Sequence, residues 1–156
     1  MERTNLPLDE QARIVERLFD DLIMQGNKSL TDKLAQYDLT IAQYLSMDAL
    51  SKKNAECNMS ELAELIQQSS ATMTGIVDRL VEKHWVTRRR SEEDRRAVFV
   101  ALTTDGQKLL NLVGGERRHL VLDTICKMTP EEINSFIHLL RRYMHAAGYV
   151  TSESSV

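Results

Sequence analysis

The stretch RRRSEEDRRAVFVALT, residues 88–103, decides how this chain is read. Five arginines, Arg88, Arg89, Arg90, Arg95 and Arg96, fall within nine positions of a chain whose formal net charge is −3. An apolar run containing Val98, Phe99 and Val100 follows, and β-branched and aromatic residues of this kind favour strand. The intervening SEED suits a turn. The segment therefore predicts a β-hairpin with arginines on its tip and flanks. From Lys83 to Arg96 six basic residues outnumber three acids, a local charge of +3 that leaves about −6 for the remainder. For a polyanionic partner such segregation matters more than the total.

Upstream of the hairpin, Met73, Ile76, Val77 and Leu80 mark one face of a helix over residues 71–84, with Ser69 or Ser70 available as N-cap. Its opposite face holds Thr72, Thr74, Gly75, Asp78 and Arg79 and is small and polar. Before it, SELAELIQ (residues 60–67) predicts a short helix with Leu62, Leu65 and Ile66 on one side, and QQSS predicts the turn between the two. LTIAQYLSMDALSKK (39–53) opens with Thr40 and Gln43 at capping-box spacing and predicts a helix that buries Ile41, Tyr44, Leu45 and Leu50. The first helix runs from Leu8 to Ile23, with an extension to Gln36, on the spacing of Leu8, Ala12, Val15, Leu18, Phe19, Leu22 and Ile23.

Downstream, TTDGQKLLNLV begins a helix with Thr104 and Gln107 at capping-box spacing, continuing through Gly114 and Gly115 to Cys126. MTPEEINSFIHLLRRYMHAAG carries the clearest boundary signals: Thr129 as N-cap, Pro130 at the first helical position, Glu132 closing the box, and Gly148 past the end. Residues 149–156, ending in TSESSV, predict a disordered tail.

The expected fold is mainly α with a small β-hairpin. A short helix, a tight turn and a helix with a small polar outer face form a helix-turn-helix, and the basic hairpin after it is a wing. The major groove admits a helix only if its outer face is not bulky, and its base edges are read by hydroxyls and Arg. Ser69, Ser70, Thr72, Thr74 and Arg79 are therefore the candidate contacts on the recognition helix, the serines doubling as caps. Arg88, Arg89, Arg90, Arg95 and Arg96 are the candidates on the wing, where a thin ribbon can reach a narrow minor groove and flanking phosphates. Acids at the same tip would repel DNA unless tied to a cation, so Asp94 is expected to pair with Arg88 or Arg96 and shape the hairpin.

The run LVEKHWVTRRRSEEDRRAVFVALTTDG, residues 80–106, resembles the MarR family of winged helix-turn-helix transcription regulators. The matching features are the leucine and lysine that end the recognition helix, WV with an Arg two residues on, the DRR at the wing tip, and the strand closing in LT with Gly three residues after that Thr. LTIAQYLSMDAL and SELAEL resemble the family's second and third helices, and the likeness extends over about residues 8–147. His84 stands where the family commonly has Gly. The resemblance implies one domain over residues 1–156, with a DNA-binding lobe at 39–103 and a helical dimerisation region from 8–36 and 104–147. It implies an intertwined homodimer that binds a pseudopalindromic operator on double-stranded DNA, represses, and is released by a small anionic or phenolic ligand or an oxidant. Tyr37, Tyr44, Met47 and His119 are candidates for an effector pocket, with ordinary packing as the alternative.

Other classes fit poorly. No apolar run approaches the ~20 residues that span a bilayer, and the charged N-terminus lacks the apolar stretch of a signal peptide, so a cytoplasmic protein without membrane contact is expected. Cys57 and Cys126 lack the spacing of a zinc site or disulfide framework, and Cys57 invites a redox-switch alternative. Scattered histidines suggest no metal, and no cofactor is expected. Without a nucleophile motif or phosphate loop an enzyme is not expected. An adaptor that uses the arginines to hold an acidic protein is the alternative binding function.

Overall fold

The computed structural model describes residues 6–53, 56–91 and 97–149. The described residues form, in chain order, α1 (Leu8–Ala35), α2 (Ile41–Lys53), β1 (Cys57–Asn58), α3 (Met59–Leu65), α4 (Ser70–Glu82), β2 (Val86–Arg90), β3 (Val98–Leu102), α5 (Thr104–Ile125) and α6 (Pro130–Ala146). The chain divides into two compact units, residues 1–114 and 115–156, with α5 passing from one into the other.

The first unit is built on a buried core of Leu34 from α1, Tyr44, Met47 and Leu50 from α2, Leu62 from α3, Met73, Ile76, Val77 and Leu80 from α4, Val86 and Val100 from the sheet, and Leu110 and Val113 from α5. The helical spacing of the α4 apolar set is what delivers four consecutive contacts to one side. The sheet is antiparallel in the order β1-β3-β2, with Arg88 opposite Val100, Arg89 opposite Phe99, and Cys57 on the far side of Val100. The third strand, β1, was absent from the sequence expectation, because two residues are too few to show alternation.

Capping chemistry sets the helix starts. At α2 the Thr40 N–H donates to Gln43 Oε1 (2.9 Å) and the Gln43 N–H to Thr40 Oγ1 (3.2 Å), the expected reciprocal box. At α3 the cap is Asn58, whose side chain accepts from the Ser60 N–H. At α4 Ser69 rather than Ser70 is the cap and accepts from the Thr72 N–H. For α5 the expected Thr104–Gln107 box is corrected by one residue. Thr103 caps, its Oγ1 accepting from the Gly106 N–H at 2.9 Å, while Gln107 turns to Ser51 and Asn111. Thr103 wins because its hydroxyl also reaches the His84 carbonyl (2.8 Å), which locks the helix start to the end of α4.

Two predicted core positions are corrected. Leu45 on α2 and Leu65 on α3 are exposed, and Gln43 and Ser46 take the buried α2 positions instead. Their polar groups are satisfied locally: Gln43 closes the cap, and Ser46 Oγ donates to the Ala42 carbonyl at 2.8 Å. The amphipathic stripe of α2 is therefore rotated from the one that apolar residues alone define.

In the second unit, α6 begins with the full Thr129–Glu132 capping box and Pro130 in its first turn. Gly148 follows its end with φ +75°, a conformation that suits glycine. None of the α6 residues is buried. No helix among the described residues is long and apolar enough to cross a membrane. The predicted tail lies almost wholly outside the described residues.

Candidate nucleic-acid interface

The helix-turn-helix consists of α3, the turn over residues 66–69, and α4. Gln67 adopts φ +53° in that turn, and the Gln68 N–H donates to the Ala63 carbonyl at 2.8 Å, which closes the end of α3. With Met73, Ile76, Val77 and Leu80 held in the core, Ser70, Thr72, Thr74, Gly75 and Arg79 are exposed on the other side of α4. The predicted recognition face is thus brought together on one helix. Two of its hydroxyls are also used locally: Ser69 Oγ and Thr72 Oγ1 lie 2.8 Å apart, and Thr74 Oγ1 donates to the Ser70 carbonyl (2.9 Å). Both threonines remain exposed.

Between α4 and the hairpin the backbone turns at His84, which has φ +58°. This left-handed geometry explains why Gly suits the position, and His is among the side chains that tolerate it. Beside it, Lys83 Nζ donates to both the backbone carbonyl and the carboxylate of Asp38, the latter at 2.6 Å, and lies 4.9 Å from the Trp85 ring centroid. The Lys83 ammonium, with Arg79 nearby, holds the Asp38 carboxyl below the usual aspartate range. This clasp joins the α1–α2 link to the end of α4.

The wing arginines divide by the alternation of the strand. Arg88 shares the face of Val86 and reaches α4, where its Nη1 donates to Asp78 Oδ1 at 2.5 Å. Arg89 points to the opposite face, packs 5.0 Å from the Phe99 ring centroid, and makes a bidentate pair with Glu56. That guanidinium lowers the Glu56 carboxyl from its ordinary value. Arg90 is exposed, and among the described residues no carboxylate pairs with it. Arg95, Arg96 and Asp94 lie outside the described residues, and with them the expected Asp94 pairing; within the described residues Arg88 is engaged by Asp78. The sequence reading missed Asp78, Glu56 and Asp38 as partners. They stand 10, 33 and 45 residues from their cations, beyond any local pattern, although Asp78, the one acid on the polar face of α4 named above, was a visible clue.

The remaining candidates are distributed differently. Tyr44 and Met47 are buried core residues and Tyr37 packs against that core, whereas His119 is exposed in the second unit. Cys57 is 1% exposed, and its thiol donates weakly to Glu61. Burial first, and then the adjacent Glu61 carboxylate, push its pKa to about 11. The thiol therefore stays protonated at neutral pH, the opposite of a reactive thiolate. Among the described residues no group of three His, Cys, Asp or Glu is placed to hold a metal ion.

A core-locked helix-turn-helix beside a three-stranded sheet, two strands of which form the arginine-bearing hairpin that follows α4, defines a winged-helix transcription regulator. The family described as transcriptional regulator SarA/Rot matches residues 29–113, more than half of the chain, and the chain belongs to that family. It is 27% identical over 140 residues to YpoP of Bacillus subtilis, an HTH-type transcriptional regulator, a match covering 90% of this chain and 94% of that one. Among solved structures, a MarR family protein from Bacillus stearothermophilus superimposes with a TM-score of 0.81 at 20% identity, covering 92% of this chain and 99% of the other. MarR from E. coli in its apo form does so with a TM-score of 0.71 at 25% identity, covering 89% and 97%. The resemblance to MarR regulators read from residues 80–106 therefore holds, and the relatives are regulators, not enzymes.

Proposed function

We propose that this regulator acts as a homodimer that binds a pseudopalindromic operator on double-stranded DNA and represses by occupying it. The observation that carries the reading is the outer face of α4, where Thr72, Thr74, Gly75 and Arg79 are exposed together while the inner face is locked in the core. Such a face fits a major groove, and the hairpin that follows it supplies cations for the backbone or minor groove. Arg90, with Arg95 and Arg96 outside the described residues, is assigned to DNA contact. Arg88 and Arg89, already paired, set the attitude of the wing. Ser69 and Ser70 hold the helix start, where their N–H groups can also meet a phosphate.

Dimerisation is supported by apolar surface that each unit leaves uncovered. On α1 Leu18 and Leu22 are 63% and 65% exposed, and on α6 Phe136 and Leu139 are 53% and 61% exposed. Contiguous exposed apolar faces of this kind mark protein interfaces. A twofold dimer would place two α4 helices on successive major grooves, with half-sites ~10 bp apart.

Release by a small anionic or phenolic effector belongs to the same reading. The Lys83–Asp38 clasp supports it, because a ligand that displaces the α1–α2 link beside Tyr37 would move the end of α4. Coupling then requires different effector affinities for the two positions. A cysteine switch at Cys57 is disfavoured by its burial.

The test combines sedimentation, which should report a dimer, with duplex binding by the chain and by Arg90→Ala. Each lost phosphate contact should lower the log–log salt slope by about 0.9. An unchanged slope and affinity would remove Arg90 from the interface. Salt-insensitive binding to an acidic protein, with no duplex bound, would support the adaptor alternative.

A further inference from the structure

The wing root contains more acid than DNA binding by itself requires. Arg88 is held by Asp78, Arg89 by Glu56 and Lys83 by Asp38, each acid coming from a different part of the first unit. Asp78 is the most exposed to the consequence, since helical spacing places it on the same side of α4 as Thr74 and Gly75. A carboxylate there faces the region where phosphates must approach, and it is tolerated because the Arg88 guanidinium neutralises it. The two side chains are 45% and 42% exposed, and a pair so open to solvent contributes little to stability. Its consequence must lie elsewhere.

We propose that Asp78 is a specificity-determining positioning residue: it holds Arg88 as a fixed internal pair, ties the wing root to the recognition helix, and withholds one cation from indiscriminate phosphate contact. The inference rests on the DNA-binding reading above. Phosphates carry no sequence information, so a free Arg88 would strengthen binding to every duplex equally and dilute the contribution of base contacts. Held by Asp78, it leaves discrimination to the α4 face. It also makes helix and wing approach DNA in one relative orientation, so that a misaligned recognition helix cannot be compensated by a wandering wing.

The test is Asp78→Asn, which keeps shape and one acceptor while removing the charge. Binding to a mixed-sequence duplex is measured as a function of salt, beside the unaltered chain and Glu82→Gln, which removes an exposed acid from the same helix. The proposal expects Asp78→Asn to steepen the log–log slope by about 0.9 per copy bound and to tighten mixed-sequence binding up to about eightfold per copy at ~0.1 M salt, the factor for one added contact. The preference for a selected sequence over the mixed duplex should fall accordingly, and the double variant with Arg88→Gln should return to the original slope. Thermal unfolding should be nearly unchanged. An unchanged slope in Asp78→Asn, or an equal effect from Glu82→Gln, would overturn the proposal while leaving DNA binding intact. Failure of the unaltered chain to bind any duplex would overturn the DNA reading and this inference together.

Discussion

Replacing Gly106 by Ala tests the junction that connects wing and helix. A Cβ at Gly106 would lie 2.0 Å from the Trp85 carbonyl oxygen and 2.9 Å from its carbon. Contact with a backbone oxygen at that distance cannot be absorbed by a side-chain rotation, so strand or helix must withdraw by more than an ångström. The same carbonyl accepts from the Thr103 N–H at 3.1 Å and from Thr103 Oγ1 at 3.2 Å, and both bonds stretch when it moves. Two weakened hydrogen bonds at about 1 kcal/mol each and overpacking strain of about 1–3 kcal/mol give a loss of roughly 3–5 kcal/mol. Thermal unfolding followed by circular dichroism should show a midpoint lowered by about 10 °C or more. Gly114→Ala is the control, because nothing lies within 4 Å of its Cβ position; there the better helix former should add up to about 1 kcal/mol. A loss below about 1 kcal/mol for Gly106→Ala would refute the reasoning, since strain alone is set at that level.

Other outcomes follow from the same geometry. Thr129→Ala removes one side of the α6 capping box and should cost about 1 kcal/mol in denaturant unfolding. In a Cys126→Ser chain, Cys57 should resist iodoacetamide at pH 7 until denaturant is added, because burial keeps its pKa near 11; prompt labelling of the folded chain would contradict this. Asp38, Glu56 and Glu61 each have a folded pKa below the ordinary 3.8 or 4.5. The unfolded chain therefore binds protons first, so the stability they add is present above those ordinary values and is lost as pH falls through the lowered ones. Urea midpoints measured down that range should fall less steeply for Asp38→Asn. Thr72→Ala and Thr74→Ala should alter preference among sequences while leaving the salt slope unchanged.

Much of the fold was legible because its signals are local. The Thr40–Gln43 and Thr129–Glu132 boxes, the Ser69 cap and the apolar stripe of α4 each lie within one or two turns of helix. The Thr103–Gly106 spacing was legible as a motif, but its cause was not: the Gly is needed because Trp85 packs against it from 21 residues away. Thr104 was preferred as cap because Gln107 stands at capping-box spacing from it, whereas the residue three after Thr103 is Gly106. Leu45 and Leu65 were read as core because they are apolar, whereas Gln43 and Ser46 are buried with their polar groups already bonded to the neighbouring backbone.

The candidate site was legible as a set of side chains and not as a set of pairs. Periodicity predicts which residues of α4 face outward, and composition shows that the hairpin is basic. Neither reveals that Arg88 and Arg89 leave opposite faces of one strand to meet Asp78 and Glu56. That depends on how the sheet packs beside α4, which sets the paired Arg88 and Arg89 apart from the exposed Arg90. The effector candidates were not separable from core residues for a related reason: Tyr44 and Met47 are apolar enough to serve the core, and spacing alone cannot separate a lining residue from a packed one.

If two copies of α4 read a symmetric site, selection of bound duplexes from a random-sequence pool by the purified chain at near-physiological salt should reveal it. The expected outcome is enrichment of a pseudopalindrome with half-site centres ~10 bp apart. A folded, dimeric chain that enriches no sequence, or only an unpaired half-site, would contradict it.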